Sequence, residues 1–186
     1  MPNTALNVST GKPKVTGGIY RAPLGTTLPT DATTALDAAF KSFGYIAEGG
    51  VTNANSPESD VYRAWGGDVV LSYITEKTDT FAFGLIEVLN PETYKAVYGD
   101  ANVSGTLATG ITVRANSKEM EDGIYVIELA LRDGAIKRIV IPDGKVSEIG
   151  DIVYEDASAI SYPITITAQA GADGDTHKEY IIKAAG

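Results

Sequence analysis

The stretch that decides the fold class is DVVLSYITEKTDTFAFGLIEVL, residues 68–89. Two runs rich in β-branched and aromatic residues, 68–76 and 80–89, flank the short polar segment Lys77–Asp79. This pattern predicts a long β-hairpin with its turn at the polar segment. In the second run phenylalanine and leucine alternate with alanine and glycine, so the strand has one bulky face and one small face.

Further β-rich runs follow between residues 111 and 183. They are 111–115, 124–131, 135–141, 145–154, 162–170 and 179–183. Asp133-Gly134 and Asp143-Gly144 each stand between two runs, and Asp-Gly is a strong hairpin signal because it tolerates positive φ. The chain is therefore predicted to be mainly β, an antiparallel β-sandwich or barrel with one or two short α-helices.

Two short segments carry helical signals. In residues 34–44 the apolar side chains share one face at helical spacing, namely Leu36, Ala39, Phe40 and Phe43. Thr34 and Asp37 have the spacing of a capping box, and Gly44 suits the left-handed end of a helix. The second segment, NPETYKAVYG at 90–99, begins with an N-cap residue and proline and ends in glycine.

The first 29 residues are predicted to form an extended N-terminal arm. Residues 1–16 have few large apolar side chains and so no core of their own. In residues 17–29, Pro23 and Pro29 lack N–H donors and bias the residues before them towards extended geometry. Such an arm is either disordered or lies on a neighbouring molecule.

A long polar segment, GGVTNANSPESDVYRAW, occupies residues 49–65. It has no core pattern and is predicted to be a loop. Long loops inside compact domains are uncommon and are usually functional or disordered. Trp65, the only tryptophan, is expected to anchor in the core at a strand entry, with stacking on a sugar as the alternative.

Composition favours one folded domain over the 186 residues, 44% of which are hydrophobic. The net charge of −9 argues against a surface that grips nucleic acid, because phosphate binding needs clustered lysine and arginine. The chain has no cysteine, which excludes disulfides and thiolate metal sites. It has neither a long apolar segment nor a secretory signal pattern, so we expect no membrane association and no secretory route.

The side chains that could take part in catalysis or metal binding lie in polar stretches. His177, the only histidine, is expected to be solvated in a turn. Asp173 and Asp175 lack the later ligands of a calcium loop. Another solvated turn is predicted to contain Glu119, Glu121 and Asp122. The sequence has no P-loop, dinucleotide-binding glycine motif or nucleophile elbow, so we expect neither an enzyme nor a cofactor.

Several stretches, in their order along the chain, carry a resemblance to a known family. They are GGIYRAPLGTTLPTDATTALDAAFKSFGYIAEGGV, YRAWGGDVV, TDTFAFGLIEVLNPETYKAVYG and the β-rich runs that follow. Over nearly its whole length the chain resembles the major tail tube protein of bacteriophages with long, non-contractile tails. It has Glu48-Gly49-Gly50-Val51 where the family pattern has an acidic-Asp-Gly-Val turn, a departure that affects turn detail alone.

The resemblance implies a fold and an assembly. Subunits of this family are β-sandwiches or barrels with a flanking helix. Six of them close into a ring, and rings stack with a helical twist into a hollow tube through which DNA passes without specific binding. The implied partners are tail tip or initiator proteins, the tail terminator and a tape measure protein in the lumen. The implied location is the virion tail, after assembly in the host cytoplasm.

The resemblance also implies roles for particular residues. The long loop reaches the adjacent ring, which assigns to ring stacking Thr52, Asn53, Asn55, Ser56, Glu58 and Asp60. The arm lies across a neighbour through Tyr20, Pro23, Leu24 and Pro29. We expect hairpins of neighbouring subunits to continue one sheet around the lumen. A negative lumen would repel DNA and let it slide, and the candidate acids are Asp68 and Glu87.

Three alternatives stay open at this stage. The first is a lone β-sandwich that binds a carbohydrate or a host receptor with its loops and Trp65. The second is the inner tube of a contractile tail or a bacterial secretion tube, which share the architecture. The third is a hydrolase that uses carboxylates in the turns between the later strands.

Overall fold

Strands make up most of the regular structure in the computed structural model, which describes residues 3–14 and 17–183. Within these ranges the strands are β1 Lys12–Pro13, β2 Ile19–Pro23, β3 Lys41–Ser42, β4 Ile46–Arg63, β5 Val69–Leu85, β6 Val103–Ser104, β7 Thr112–Val113, β8 Gly123–Ala130, β9 Ala135–Ile149, β10 Tyr162–Ala168 and β11 Lys178–Lys183. The α-helix α1 covers Pro91–Tyr98. The predicted fold class, mainly β with antiparallel, sandwich-like packing, is confirmed.

The large antiparallel sheet is organised around β8 and β9. Its strand order is β3-β2-β8-β9-β10-β5-β4, with β1 added to β8 and β11 added to β9. β9 pairs with β8 along one edge, while its other edge pairs first with β11 over residues 135–140 and then with β10 over residues 144–149. The long strand β9 therefore joins the two halves of the sheet, and the hairpin β4–β5 lies at one end.

Apolar side chains cover both faces of β8. On one face Tyr125 and Ile127 belong to the main core, which also takes in Phe81 of β5. On the other face Val126 packs in a smaller cluster with Phe40. Because both faces are covered, residues 123–127 of β8 form a continuous apolar run, and the charged residue of this strand, Glu128, is buried as well.

The helix predicted for residues 34–44 is wrong. The segment is irregular apart from β3, and its apolar residues belong to two different cores: Leu36 and Phe40 pack in the smaller cluster, whereas Phe43 belongs to the main core. Because one face of a helix cannot contact two separate cores, the backbone is not helical between Leu36 and Phe43. Gly44 does adopt a positive φ of 74°. A side chain there would overlap the Glu87 carboxylate.

A buried ion pair fastens this irregular segment to the sheet. Arg138 and Glu128 lie opposite each other on β9 and β8 and are 2% and 5% exposed. Arg138 Nε donates to Glu128 Oε1 at 2.9 Å, and its Nη1 donates to the carbonyls of Asp31 and Thr34, both at 2.8 Å. Lys14 Nζ lies 3.2 Å from the other Glu128 oxygen. The pair thus ties residues 31–34 and the N-terminal segment to the sheet.

The helix predicted at residues 90–99 is confirmed. The Asn90 side chain accepts a hydrogen bond from the Glu92 N–H at 3.1 Å, Pro91 takes the first helical position, and Gly99 ends the helix with a φ of 88°. Ala96 and Val97 are buried against the main core. The described residues include no helix long and apolar enough to cross a membrane.

The two Asp-Gly signals have different outcomes. Asp133-Gly134 forms the predicted turn, with φ values of 57° and 74°. The turn predicted at Asp143-Gly144 is wrong, because both residues lie within the continuous strand β9. A Cβ at Gly144 would come within 2.7 Å of Tyr125 and 2.9 Å of Ile166, so glycine there permits close packing and does not make a turn.

The N-terminal arm is shorter than predicted. Residues 3–14 are exposed apart from Lys14, and β1 pairs with the edge of β8, while residues 1–2 and 15–16 of the predicted arm lie outside the described residues. Residues 17–29 are extended in part but do not form a free arm, because β2 pairs with both β3 and β8. Ile19 and Ala22 on β2 are each 1% exposed.

Candidate assembly surface on the projecting hairpin

The most prominent surface feature is the hairpin formed by β4 and β5. The loop predicted at 49–65 and the hairpin predicted at 68–89 with its turn at Lys77–Asp79 are both wrong. Residues 46–63 form one strand, residues 69–85 form its partner, and the chain reverses at 64–68. The polar residues of β4 show no core pattern because they lie in a ribbon whose two faces both meet solvent.

This hairpin leaves the body of the protein about halfway along its length. β10 pairs with β5 only between Thr80 and Leu85, and residues 52–78 are exposed throughout. Between the pair Asn53–Phe81 and the turn, about eleven residues per strand give a projecting ribbon of roughly 36 Å. A two-stranded hairpin without a covered face is marginal in water, so contact with another molecule would stabilise the projecting ribbon.

The end of the ribbon is strongly apolar. We call residues 61–74 the apolar tip. Its exposed large side chains are Val61, Tyr62, Trp65, Val69, Val70, Leu71, Tyr73 and Ile74. Trp65 is fully exposed in the turn, so its predicted place in the core is wrong. An apolar group of this size on an exposed surface marks an interaction site.

Between the body and the apolar tip, one face of the ribbon is acidic. Glu58 and Glu76 are directly opposite each other, and Asp60 follows on the same face. Like charges that face each other across a strand pair are destabilising, so packing does not account for the arrangement. Closer to the body the same face has small side chains, with Ser56 opposite Thr78 and Ala54 opposite Thr80.

A buried carboxylate holds the ribbon where it joins the body. Asp79 is 1% exposed, and it accepts hydrogen bonds from Asn53 Nδ2 at 2.8 Å and Thr176 Oγ1 at 2.6 Å. His177 Nδ1 lies 2.5 Å from Asp79 Oδ2, and the imidazole contacts the Phe81 ring edge to face. The expectation that His177 is solvated is therefore wrong. Burial raises the pKa of Asp79, but hydrogen bonds from Thr176, His177 and Asn53 outweigh it, so the pKa lies below its ordinary value.

Asp79→Ala is expected to destabilise the chain by about 1–3 kcal/mol at neutral pH, because three donors lose their common acceptor. A lowered carboxylate pKa stabilises the fold above the unfolded value of about 4 and loses that effect as the pH falls through the folded value. The difference between wild type and variant, measured by urea unfolding with circular dichroism, should thus be smaller at pH 3 than at pH 7.

A matched control for this measurement is Asp156→Asn, at an exposed position, which should change stability by less than about 0.5 kcal/mol. An Asp79→Ala chain as stable as wild type at pH 7 would contradict the role of Asp79 at the base of the ribbon. If the stability difference between wild type and Asp79→Ala were the same at pH 3 and pH 7, this would contradict the conclusion that Asp79 stabilises the fold in its charged form.

The residues assigned to ring stacking all lie on β4. Thr52, Asn53, Asn55, Ser56, Glu58 and Asp60 follow one another along this strand. Asn53 has an internal role as a donor to Asp79, and the others are exposed. The sequence pattern missed the larger apolar group beyond them, from Val61 to Ile74. The signal that the sequence did offer is the turn dipeptide Gly66-Gly67 followed by the apolar run at 69–71, which places the end of the hairpin there.

The other predicted site residues are dispersed. Asp68 lies in the turn at the far end of the ribbon, whereas Glu87 follows β5 at the near end and accepts the Tyr45 N–H at 2.9 Å. The residues assigned to the arm divide by exposure: Pro23 and Leu24 are exposed, Pro29 is buried, and Tyr20 is half-buried on β2. Neither the two candidate lumen acids nor the residues assigned to the arm therefore form one continuous surface.

The carboxylates considered for catalysis lie at the surface, with Glu119 and Glu121 exposed and Asp122 half-buried. Glu119 is exposed and pairs with Lys145 across the surface. In the described ranges, no group of three or more histidine and carboxylate side chains is placed to hold a metal ion.

Comparison with known proteins identifies the family. A family model described as phage tail tube protein matches residues 5–185. The chain belongs to the phage tail tube protein family. A search of curated proteins finds none that matches. As a member of the tail tube family, the protein is a structural component whose place is the virion tail.

Proposed function

We propose that this tail tube protein assembles into rings of six subunits that stack into the hollow tube through which the phage genome leaves the virion. The observation that carries the proposal is the projecting ribbon, with two unpaired strand edges and an apolar end. The non-contractile tail is the form that the sequence resembles most closely.

Within a ring, the ribbon edges supply the lateral contact. The outer edge of β4 has no strand beside it in the described residues, and β5 lacks a second neighbour between Val69 and Asp79. One subunit's β4 can therefore pair with the next subunit's β5, which adds strands to a shared sheet. A head-to-tail contact of this kind closes into a ring when its rotation divides a full turn.

Between rings, the apolar tip supplies the axial contact. It lies roughly 36 Å from the base of the ribbon, beyond the body of its own subunit. The polar residues first assigned to ring stacking, Thr52 to Asp60, lie on the way to the tip and remain in the proposal as part of the same ribbon.

A shared sheet of ribbons would turn one face towards the lumen. The face with Glu58, Asp60 and Glu76 is the continuation of the small outer face of β5, opposite the core-facing Phe81. We assign this acidic face to the lumen, where negative charge would keep DNA from binding. Asp68 and Glu87 remain candidates at the two ends. A positive calculated potential along the lumen of an assembled ring would contradict the assignment.

Negative-stain electron microscopy of the purified chain, fresh and after concentration, tests the proposal. We expect rings or hollow filaments, with light scattering that rises with concentration. Assembly with a tail initiator protein, a terminator and a tape measure protein belongs to the same proposal. Persistent small particles, also after addition of pre-formed tail ends, would contradict it.

The alternative of a carbohydrate-binding or receptor-binding module gains one observation from the structure, the full exposure of Trp65. Sugar sites place polar groups beside the aromatic ring. The residues directly beside Trp65 are instead Ala64 and Gly66, and the Arg63 guanidinium donates to the Gly67 carbonyl within the turn at 3.0 Å. A chain that stays monomeric and is retained on a glycan array through Trp65 would favour this alternative.

The tryptophan emission of the chain is expected to report assembly directly. Trp65 is the only tryptophan and is fully exposed in the subunit, so free subunits should emit at the long wavelengths of a hydrated indole. Burial of the apolar tip on stacking should shift the emission to shorter wavelengths and protect it from iodide quenching. Tubes with unchanged emission would show that Trp65 stays outside every contact.

A further inference from the structure

The base of the ribbon contains an apolar groove. The groove lies between β1 and the start of β4 and encloses about 550 Å³. Its walls include Pro13, Ile46, Val51 and Leu129, and its floor reaches Phe81 and Ile139 of the main core. An irregularity in β4 opens it, because residues 47–50 stand between the successive pairs Ile46–Leu85 and Val51–Phe83.

Two successive residues that line this groove are glycines and present no side chain to it. Gly49 and Gly50 have nothing within 4 Å of the position that a Cβ would take, and Gly50 has a φ of 67°. The Gly49-Gly50 pair lies where the family pattern has a different turn. Larger side chains here would fill the mouth of the groove.

We infer that the groove receives Trp65 of a second copy of this chain, an inference that rests on the proposed stacking of rings. The groove and the apolar tip lie at opposite ends of one ribbon, since Val51 lines the groove and Trp65 lies in the turn beyond the last pair, Arg63–Val69. A tip-to-base contact joins different surfaces of identical copies and repeats without closing, as a stack requires. An indole offers ~150–250 Å² of surface to bury, which suits an apolar groove of this size.

The charges near Trp65 and at the rim of the groove are complementary, and the length of the ribbon is compatible with this contact. Arg63, two residues before Trp65, is exposed on the tip, and Glu48 is exposed at the rim of the groove. Docking of Trp65 would bring these opposite charges together. The axial distance between successive copies then equals the length of the ribbon, roughly 36 Å or somewhat more.

Cross-linking tests the contact cleanly because the chain has no cysteine. Ala64→Cys places a thiol beside Trp65 while keeping the indole, and Glu48→Cys places one at the rim of the groove, where it replaces a larger side chain and leaves both glycines in place. Within one copy the two thiols lie at opposite ends of the ribbon, so a short bis-maleimide can join only different copies. For the double variant assembled into tubes we expect a ladder of covalent oligomers on a denaturing gel.

The matched control combines Ala64→Cys with Leu107→Cys, an exposed apolar position away from the groove, and should give no ladder. Trp65→Ala should form rings that do not stack. Tubes of the Ala64/Glu48 double variant without a ladder, or an equal ladder in the control pair, would overturn the docking and leave ring stacking intact. A wild-type chain that forms no tubes would overturn the proposed function together with the docking.

Discussion

A chain in which Asn-Gly replaces residues 57–77 is expected to fold as a monomer and to form no tube. Ser56 and Thr78 are directly opposite each other, so a two-residue turn can close the hairpin at that pair. The core residues of β5 and the bonds of Asp79 to Asn53, Thr176 and His177 all remain, so the body keeps its contacts.

The expected loss of assembly is large. Full burial of a large apolar side chain stabilises a contact by about 1.5–3 kcal/mol, so two of the tip side chains already correspond to a ~10²- to 10⁴-fold change in the concentration needed for assembly. Sedimentation and electron microscopy measure the outcome, with circular dichroism as the check on folding.

A second variant distinguishes the contribution of the ribbon to assembly from that of its apolar tip. Trp65→Ser, Leu71→Thr and Ile74→Thr keep the length of the ribbon and both strand edges, and should give rings without stacks. Tubes from the shortened chain would show that the ribbon is dispensable. Complete loss of rings in the triple variant would show that the apolar tip acts within rings as well.

Arg138→Met is expected to lower the free energy of unfolding by about 3–5 kcal/mol, because it leaves the Glu128 carboxylate buried without its main partner. The carbonyls of Asp31 and Thr34 also lose a donor. Urea unfolding monitored by circular dichroism is the appropriate measurement, since Trp65 is exposed in the folded chain and would report unfolding poorly.

The double variant Arg138→Met with Glu128→Leu provides the control. Removing both charges should restore part of the lost stability, with the two carbonyl contacts accounting for the remainder. A double variant as unstable as the single one would assign the whole loss to the carbonyls of residues 31–34. A single variant with less than about 1 kcal/mol of change would contradict the importance of the ion pair.

Local signals predicted some elements correctly. The helix at residues 90–99 was predictable because its N-cap, its first-turn proline and its terminal glycine are all within ten residues. The turn at Asp133-Gly134 and the inward face of the second half of β5 were predictable for the same reason. The overall β class followed from the many short apolar runs.

The predictions from sequence are wrong where contacts with residues far away in the chain determine the local structure. Asp79 resembled a turn residue, and its burial depends on Thr176 and His177, nearly a hundred positions away. Gly144 resembled half of a turn signal, but Tyr125 and Ile166 need the space that it leaves. Phe40 and Phe43 matched a helix face, although they belong to different cores.

The ribbon was missed for a different physical reason. Periodicity detects a strand by its buried face, and this ribbon has no face buried within its own subunit. Its polar half therefore resembled a loop, and the apolar side chains near its end suggested a core position for Trp65. Sequence patterns alone do not distinguish surfaces that bury apolar groups against a neighbour from surfaces that bury them internally.

The unpaired edges of the ribbon also make the free subunit vulnerable to disordered aggregation, because an open edge accepts any strand that approaches it. Two local features restrain this. Pro57 removes one donor from β4, and the facing Glu58 and Glu76 repel a randomly oriented copy of the same face. Spontaneous nucleation should then be slow while addition to an existing end is fast. Polymerisation should show a lag phase that sonicated fragments abolish, so the number of tubes would be set by the number of seeds.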